Sequence, residues 1–343
     1  MTGWVQSEPV DKSSPAGSGG PGTPPGYLSS TAVLFQSLWE NAGMMAVFVV
    51  LFTVISMFVP NFFSWVNLNG LALSVATVVI IACTMVFCLA SGDFDLSVGS
   101  VVACAGVMAA VVIDKTDSVP LGIGAGILAG GAVGLVNGIV IAGIGINALI
   151  TTLATMQIAR GLSYIISDGR AVGIRETSFF ALGISSWAGI PTPVWIMTGC
   201  FLLFGFLLNR TIFGRNSLAI GGNKEAARLA GIAVTQTKIA IFTMQGLIAG
   251  FAGVILASRM TSGQPGTAQG LELQVISACV LGGVSLTGGI ATMSGVVVGV
   301  LIMGIVQNAM NLLNISTFYQ YVASGAVLLA AVFVDRLRHR NER

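Results

Sequence analysis

Ten apolar runs, each close to the roughly 20 residues that a helix needs to cross a bilayer, constrain this chain more than anything else in it. They lie near 43 to 59, 68 to 90, 96 to 113, 120 to 143, 147 to 166, 193 to 209, 237 to 258, 272 to 288, 293 to 313 and 317 to 334. The pattern predicts an all-α polytopic membrane protein with about ten transmembrane helices. Composition excludes the soluble alternative, because 55% of the 343 residues are hydrophobic and only 8% are charged, against about 25% charged in soluble domains. Two places interrupt the pattern. Ser91-Gly92-Asp93-Phe94-Asp95 reads either as a loop between the second and third spans or as a break buried within the membrane. Gly282-Gly283 interrupts the eighth span.

Positive charge orients such a chain, since cytoplasmic loops carry the excess of Lys and Arg. Lys12, Arg210, Arg215, Lys224, Arg228, Lys238, Arg336, Arg338, Arg340 and Arg343 fall on one side. Lys115, Arg170, Arg175 and Arg259 fall on the other, and Arg160 lies within a span. Both termini and the loop at 210 to 238 are therefore predicted to be cytoplasmic, with 167 to 192 and 259 to 272 outside. Residues 1–34 are rich in Gly, Pro and Ser and read as a disordered cytoplasmic tail, with no cleaved signal peptide. The membrane-spanning body then covers 35–335, and 336–343 forms a basic cytoplasmic tail. A net charge of +2 gives no electrostatic case for nucleic acid.

Chemistry-bearing motifs are sparse. No GxxxxGK[ST] phosphate loop occurs, the single histidine, His339, lies in the charged tail, and the five cysteines sit inside apolar runs without metal-ligand spacing. These features predict a chain that is not an enzyme, with no catalytic residues, no metal and no bound cofactor. Polar groups at membrane depth remain, and these are costly enough to count as functional candidates. Asp93, Asp95 and Ser97 lie between the second and third spans. Either Asp95 and Ser97 cap the third helix while Asp93 faces water, or the segment lines a translocation path or its gate. Asn147, Thr151 and Thr155 share one face of the fifth helix, with Arg160 beyond them. They either bond a neighbouring helix or belong to the path. Gln307, Asn308, Asn311 and Asn314 make a comparable stripe. Gly122, Gly126, Gly130, Gly134 and Gly138 recur every four residues, and with Gly246, Gly250, Gly295 and Gly299 they predict close helix packing.

The loop at 210 to 238 holds a legible helix. Asn223 is a good N-cap, Glu225 sits in the first turn, Ala226, Ala227, Leu229 and Ala230 favour helix, and Gly231 ends it. A helix this short is marginal alone in water, so it must dock on something. Its alanines form a small face suited to a groove.

Gly221-Gly222-Asn223 with Glu225-Ala226-Ala227-Arg228-Leu229-Ala230-Gly231, Gly92-Asp93-Phe94-Asp95-Leu96-Ser97-Val98-Gly99, and Leu281-Gly282-Gly283-Val284-Ser285-Leu286-Thr287-Gly288-Gly289 together resemble the permease subunits of bacterial ABC importers for monosaccharides, the ribose, galactose, xylose and arabinose group. Cys88-Leu89-Ala90-Ser91-Gly92-Asp93, Asn147-Ala148-Leu149-Ile150-Thr151-Thr152 and Ser258-Arg259-Met260-Thr261-Ser262-Gly263-Gln264-Pro265 are most similar to the L-arabinose branch. The resemblance covers about residues 35 to 335. It implies a homodimer in the bacterial inner membrane, served by a cytoplasmic ATPase that holds the ATP and Mg and by a periplasmic sugar-binding protein. It further implies that Gly222, Asn223, Glu225, Ala226, Ala227, Arg228 and Gly231 form the helix that couples to the ATPase. Outer-loop residues Arg170, Arg175, Arg259 and Gln264 become candidates for docking the binding protein, and L-arabinose the expected cargo. The competing reading is an ion-coupled secondary transporter or channel using Asp93, Asp95 and Arg160.

Overall fold

The computed structural model describes residues 30–340, so most of the Gly/Pro-rich tail and the last three residues lie outside the described residues. The chain divides into two units, Met1–Glu40 and Asn41–Arg343. The first contributes a helical stretch from Ser30. The second contains α2 to α12 and the sites described below.

The described residues form twelve α-helices in order: α1 Ser30–Phe58, α2 Trp65–Ala90, α3 Val98–Thr116, α4 Val119–Gly138, α5 Ala148–Ile166, α6 Thr192–Arg210, α7 Ile212–Gly222, α8 Lys224–Leu229, α9 Val234–Met260, α10 Leu271–Leu281, α11 Met293–Leu312 and α12 Thr317–Arg340. A π-helical turn, Ile139–Ile144, extends α4. Among the described residues seven helices are long and apolar enough to cross a membrane: α2, α3, α4 with its extension, α5, α6, α9 and α11. Gly43–Phe58 and Leu271–Leu281 are shorter apolar helices. The eighth expected span needs correction. Helix stops at Leu281, and 282–292 is irregular, because Gly283, Gly288 and Gly289 adopt left-handed backbone conformations that break the repeat.

The centre of the bundle is α2, buried at every position from Val75 to Ala90. A helix apolar on all sides belongs inside a protein or a membrane, and here α6, α9, α10 and α11 surround it. Around this core, α4 lies along α9 through glycine on both sides. A Cβ on Gly130 would strike the Gly246 carbonyl and come within 2.7 Å of Gly250 Cα, and one on Gly134 would come within 2.9 Å of Gly246 Cα. The four-residue glycine repeat therefore exists so that two backbones can touch. Gly295 and Gly299 serve α11 in the same way against Ala278 of α10 and Gly282, which caps its end.

Among the described residues, four two-residue strands decorate one end. β1 (Val172–Gly173) pairs with β4 (Ser262–Gly263), and β2 (Ser186–Trp187) with β3 (Ile190–Pro191). The β1–β4 pair joins the 167–192 segment to the end of α9, and Ser258 Oγ donates to the Phe179 carbonyl at 2.7 Å. The segments at 91–97, 221–224 and 285–290 gather at the opposite end.

Candidate functional site

At that second end three glycine-bearing segments meet backbone to backbone. Gly289 N donates to the Ala90 carbonyl at 2.9 Å. A Cβ on Gly221 would run into that same carbonyl and lie 2.6 Å from Gly289 N. One on Gly288 would lie 2.8 Å from Gly221 Cα and 2.9 Å from Gly92 N. Gly92, Gly288 and Gly289 have φ of 79°, 89° and 82°, which suits glycine and strains other residues. The end of α2, the end of α7 and the loop after α10 thus form one close-packed knot.

The short helix α8 hangs from this knot. Asn223 Oδ1 accepts from Ala226 N at 2.9 Å, which caps the first turn, and Gly231 follows in a left-handed conformation with φ 86°. Here the structure corrects the expected docking face. Ala227 is only 5% exposed and packs with Ile220 of α7 and Val234 of α9, so it seats the helix on the body of the protein and cannot enter a partner's groove. The outward surface is Lys224, Glu225, Ala226, Arg228 and Leu229, with Leu229 85% exposed. Glu225 and Arg228 pair at 3.1 Å with both side chains largely in solvent, worth about 0.3 kcal/mol.

A second strut runs from α9. Lys238, assigned above to a cytoplasmic loop, lies one turn into α9, is buried, and donates from Nζ to Asp93 Oδ2 at 2.6 Å. Asp93 is therefore paired and largely screened from water, with 14% of its side chain exposed. Helix α8 reaches the 90–97 corner by two routes, through Ile220 and Gly221 of α7 and through Val234 and Lys238 of α9. Next to this pair Asp95 Oδ1 accepts from Ser97 N at 2.8 Å and from Ser97 Oγ at 2.6 Å, and Asn137 Nδ2 of α4 donates to Ser97 Oγ at 3.0 Å. Burial pushes the Asp95 carboxyl above its ordinary range, opposed by the hydrogen bonds from Ser97 and Asn137. Asp95 thus holds the entry to α3, and Ser97 passes the contact on to α4. Sequence reasoning missed Lys238 and Asn137. Both are polar groups inside apolar helices, the signal that should have marked them.

The other proposed path residues are turned inward to their own helix. Asn147 Oδ1 caps α5 through Leu149 N at 2.9 Å, Thr151 Oγ1 donates to the Asn147 carbonyl at 3.0 Å, and Thr155 Oγ1 donates to the Thr151 carbonyl at 3.1 Å. Arg160 donates to the Pro265 and Thr267 carbonyls at 2.7 Å each. At the decorated end Arg170 and Arg175 are exposed. Arg259 instead reaches back to the Leu73 carbonyl of α2 at 3.1 Å, and Gln264 donates to Ser262 Oγ at 3.2 Å. The α11 stripe binds neighbours: Asn308 exchanges two 2.9 Å hydrogen bonds with Asn67, and Asn311 accepts from Gln320 at 2.7 Å.

The knot makes a definite demand on residue 221. Gly221→Ala should leave the protein inserted and dimensionally intact in detergent but displace α7 from Ala90, at a cost of about 1 to 3 kcal/mol from overpacking. A thermal-stability measurement unchanged by this substitution would show that the close approach is not required.

Residues 67–332 match the family model described as branched-chain amino acid transport system / permease component. The chain is 60% identical over 309 residues to the L-arabinose transport system permease protein AraH of Escherichia coli (strain K12), covering 90% of this chain and 94% of that one. It is 58% identical over 306 residues to the L-arabinose ABC transporter permease protein AraH of Azospirillum brasilense, covering 89% and 90%. To the ribose import permease protein RbsC of E. coli K12 it is 37% identical over 307 residues, covering 88% and 95%. No solved structure matches the chain. With most of its length inside that model and inside these relatives, the chain belongs to this family of transport-system permease components.

Proposed function

We propose that this chain is the membrane-spanning permease of an ATP-driven importer that carries L-arabinose across the bacterial inner membrane. The cargo follows from the relatives at 58% and 60% identity, both L-arabinose permease proteins. The mechanism is carried by one observation, the exposed helix α8 anchored twice to the corner between α2 and α3. A six-residue helix held rigidly on the body, with Leu229 bare at its free end, is suited to receive a push from a partner and deliver it to the bundle. That partner is a separate ATPase carrying ATP and Mg. A sugar-binding protein delivers cargo at the opposite end, where Arg170 and Arg175 remain exposed, and a second copy of the chain completes the assembly. Ten spans with both termini and α8 cytoplasmic describe its topology. The ion-coupled alternative loses ground because its proposed coupling groups are committed: Asp93 to Lys238, Asp95 to Ser97, and Arg160 to two carbonyls.

Cells lacking their own arabinose uptake should accumulate L-arabinose when given this chain with its ATPase and binding protein, and should not when the ATPase is omitted. Accumulation without the ATPase would overturn the reading. Topology has its own check. A cysteine in place of Lys224 should react only with reagent on the cytoplasmic side, and one in place of Ser178 only from outside, both positions being exposed. Reaction of both from one side contradicts the ten-span arrangement.

A further inference from the structure

Helices α10, α11 and α12 line a partly open cavity of about 310 Å³ at the end of the bundle away from the knot, where α10 and α12 begin and α11 ends. This volume lies at the lower limit of small-molecule sites, which span about 300 to 1,000 Å³. Gln274, Gln307, Gln320 and Ser324 supply polar walls, Leu273 and Tyr321 an apolar one, and no Asp, Glu, Lys or Arg lines it.

The amides are half used. Gln274 Nε2 donates to Gln307 Oε1 at 2.9 Å, and Gln320 Nε2 donates to Asn311 Oδ1 at 2.7 Å and to the Ile315 carbonyl at 3.2 Å. Among the described residues this leaves Gln274 Oε1 and Gln320 Oε1 as open acceptors and Gln307 Nε2 as an open donor. The used halves fix the orientation of the free ones. The free amide atoms are not sealed from solvent, and the cluster offers donors and acceptors together without charge. Vicinal hydroxyls, which both donate and accept, answer that pattern, and the C–H face of a sugar ring answers Leu273 and Tyr321. A zwitterionic amino acid would need opposed charges that the walls do not contain.

We propose that this cavity is a transient binding site for an uncharged pentose-sized polyol at the end of the bundle away from α8. The proposal rests on the importer reading above. It adds a specific site that lies apart from Asp93, Asp95 and the α5 threonines.

The test uses proteoliposomes holding the complete importer and radiolabelled L-arabinose delivered by loaded binding protein. Gln274→Leu and Gln307→Leu keep side-chain bulk and remove the free amide atoms, so each should lower uptake about fivefold, the value of one hydrogen bond. ATPase co-purification and stimulated hydrolysis should hold. In a Cys200→Ala background, chosen because Cys200 alone of the five cysteines is not buried, a Ser324→Cys chain should be alkylated more slowly when loaded binding protein and ATP are present than with empty binding protein. Unchanged uptake in both glutamine variants overturns the site, as does absence of protection at Ser324→Cys, which also decides the matter if the glutamine variants fail to insert. Absence of ATP-driven uptake by the unsubstituted complex is a different result, and it removes the importer reading itself.

Discussion

Replacing Lys238 with methionine is expected to destabilise the protein by about 3 to 5 kcal/mol, because it leaves the Asp93 carboxylate unpaired where only 14% of its side chain reaches solvent. The hydrogen-bonded pair at 2.6 Å offsets the desolvation of both groups, and removing one partner exposes the whole penalty of the other. Asp93→Leu combined with Lys238→Met should recover most of the loss, since a well-packed apolar pair commonly equals a buried ion pair. Thermal unfolding of the purified protein in detergent, across the two single variants and the double, measures this. A double variant no more stable than Lys238→Met would mean that the pair is not what ties α9 to the corner before α3.

The second large effect concerns Leu229. An aspartate there should abolish co-purification of the ATPase and with it ATP-driven uptake, while insertion and thermal stability stay unchanged. The side chain is 85% exposed, so the isolated permease has nothing to lose. In the complex, by contrast, a carboxylate would have to be desolvated in the partner's groove at a cost of several kcal/mol. Ala227→Glu would behave in the opposite way. It would unseat α8 from Ile220 and Val234 and lower stability even without a partner. Measured side by side, the two substitutions separate the face of α8 that meets the partner from the face that meets the bundle.

The elements themselves were largely legible in the chain. Runs of about 20 apolar residues state their own length, and seven of the ten expected runs are matched, among the described residues, by helices long and apolar enough to cross a membrane. The glycine repeat of α4 announced close packing. The capped helix after Asn223 was readable from the Asn223 cap, Glu225 in the first turn, the alanines and Leu229, and the Gly231 stop. What sequence could not supply was which side of a short helix faces in. Ala226, Ala227 and Ala230 look alike on paper, and only the positions of Ile220 and Val234 single out Ala227. The pairing of Asp93 with Lys238, 145 residues apart, was equally hidden, as was the Gln274–Gln307 contact between α10 and α11. Each depends on which helices are neighbours, and apolar periodicity does not encode that. The break after Leu281 was foreshadowed by Gly282-Gly283. Its purpose, to bring Gly288 and Gly289 against Gly221 and Ala90, emerges only from the fold.

The most direct measurement of the central claim is L-arabinose uptake into proteoliposomes containing this chain, assembled with and without its ATPase and binding protein. Uptake that requires both partners and internal or external ATP on the ATPase side, and that survives collapse of every ion gradient, is the predicted result. Uptake by the chain alone that stops when an ion gradient is dissipated would contradict it.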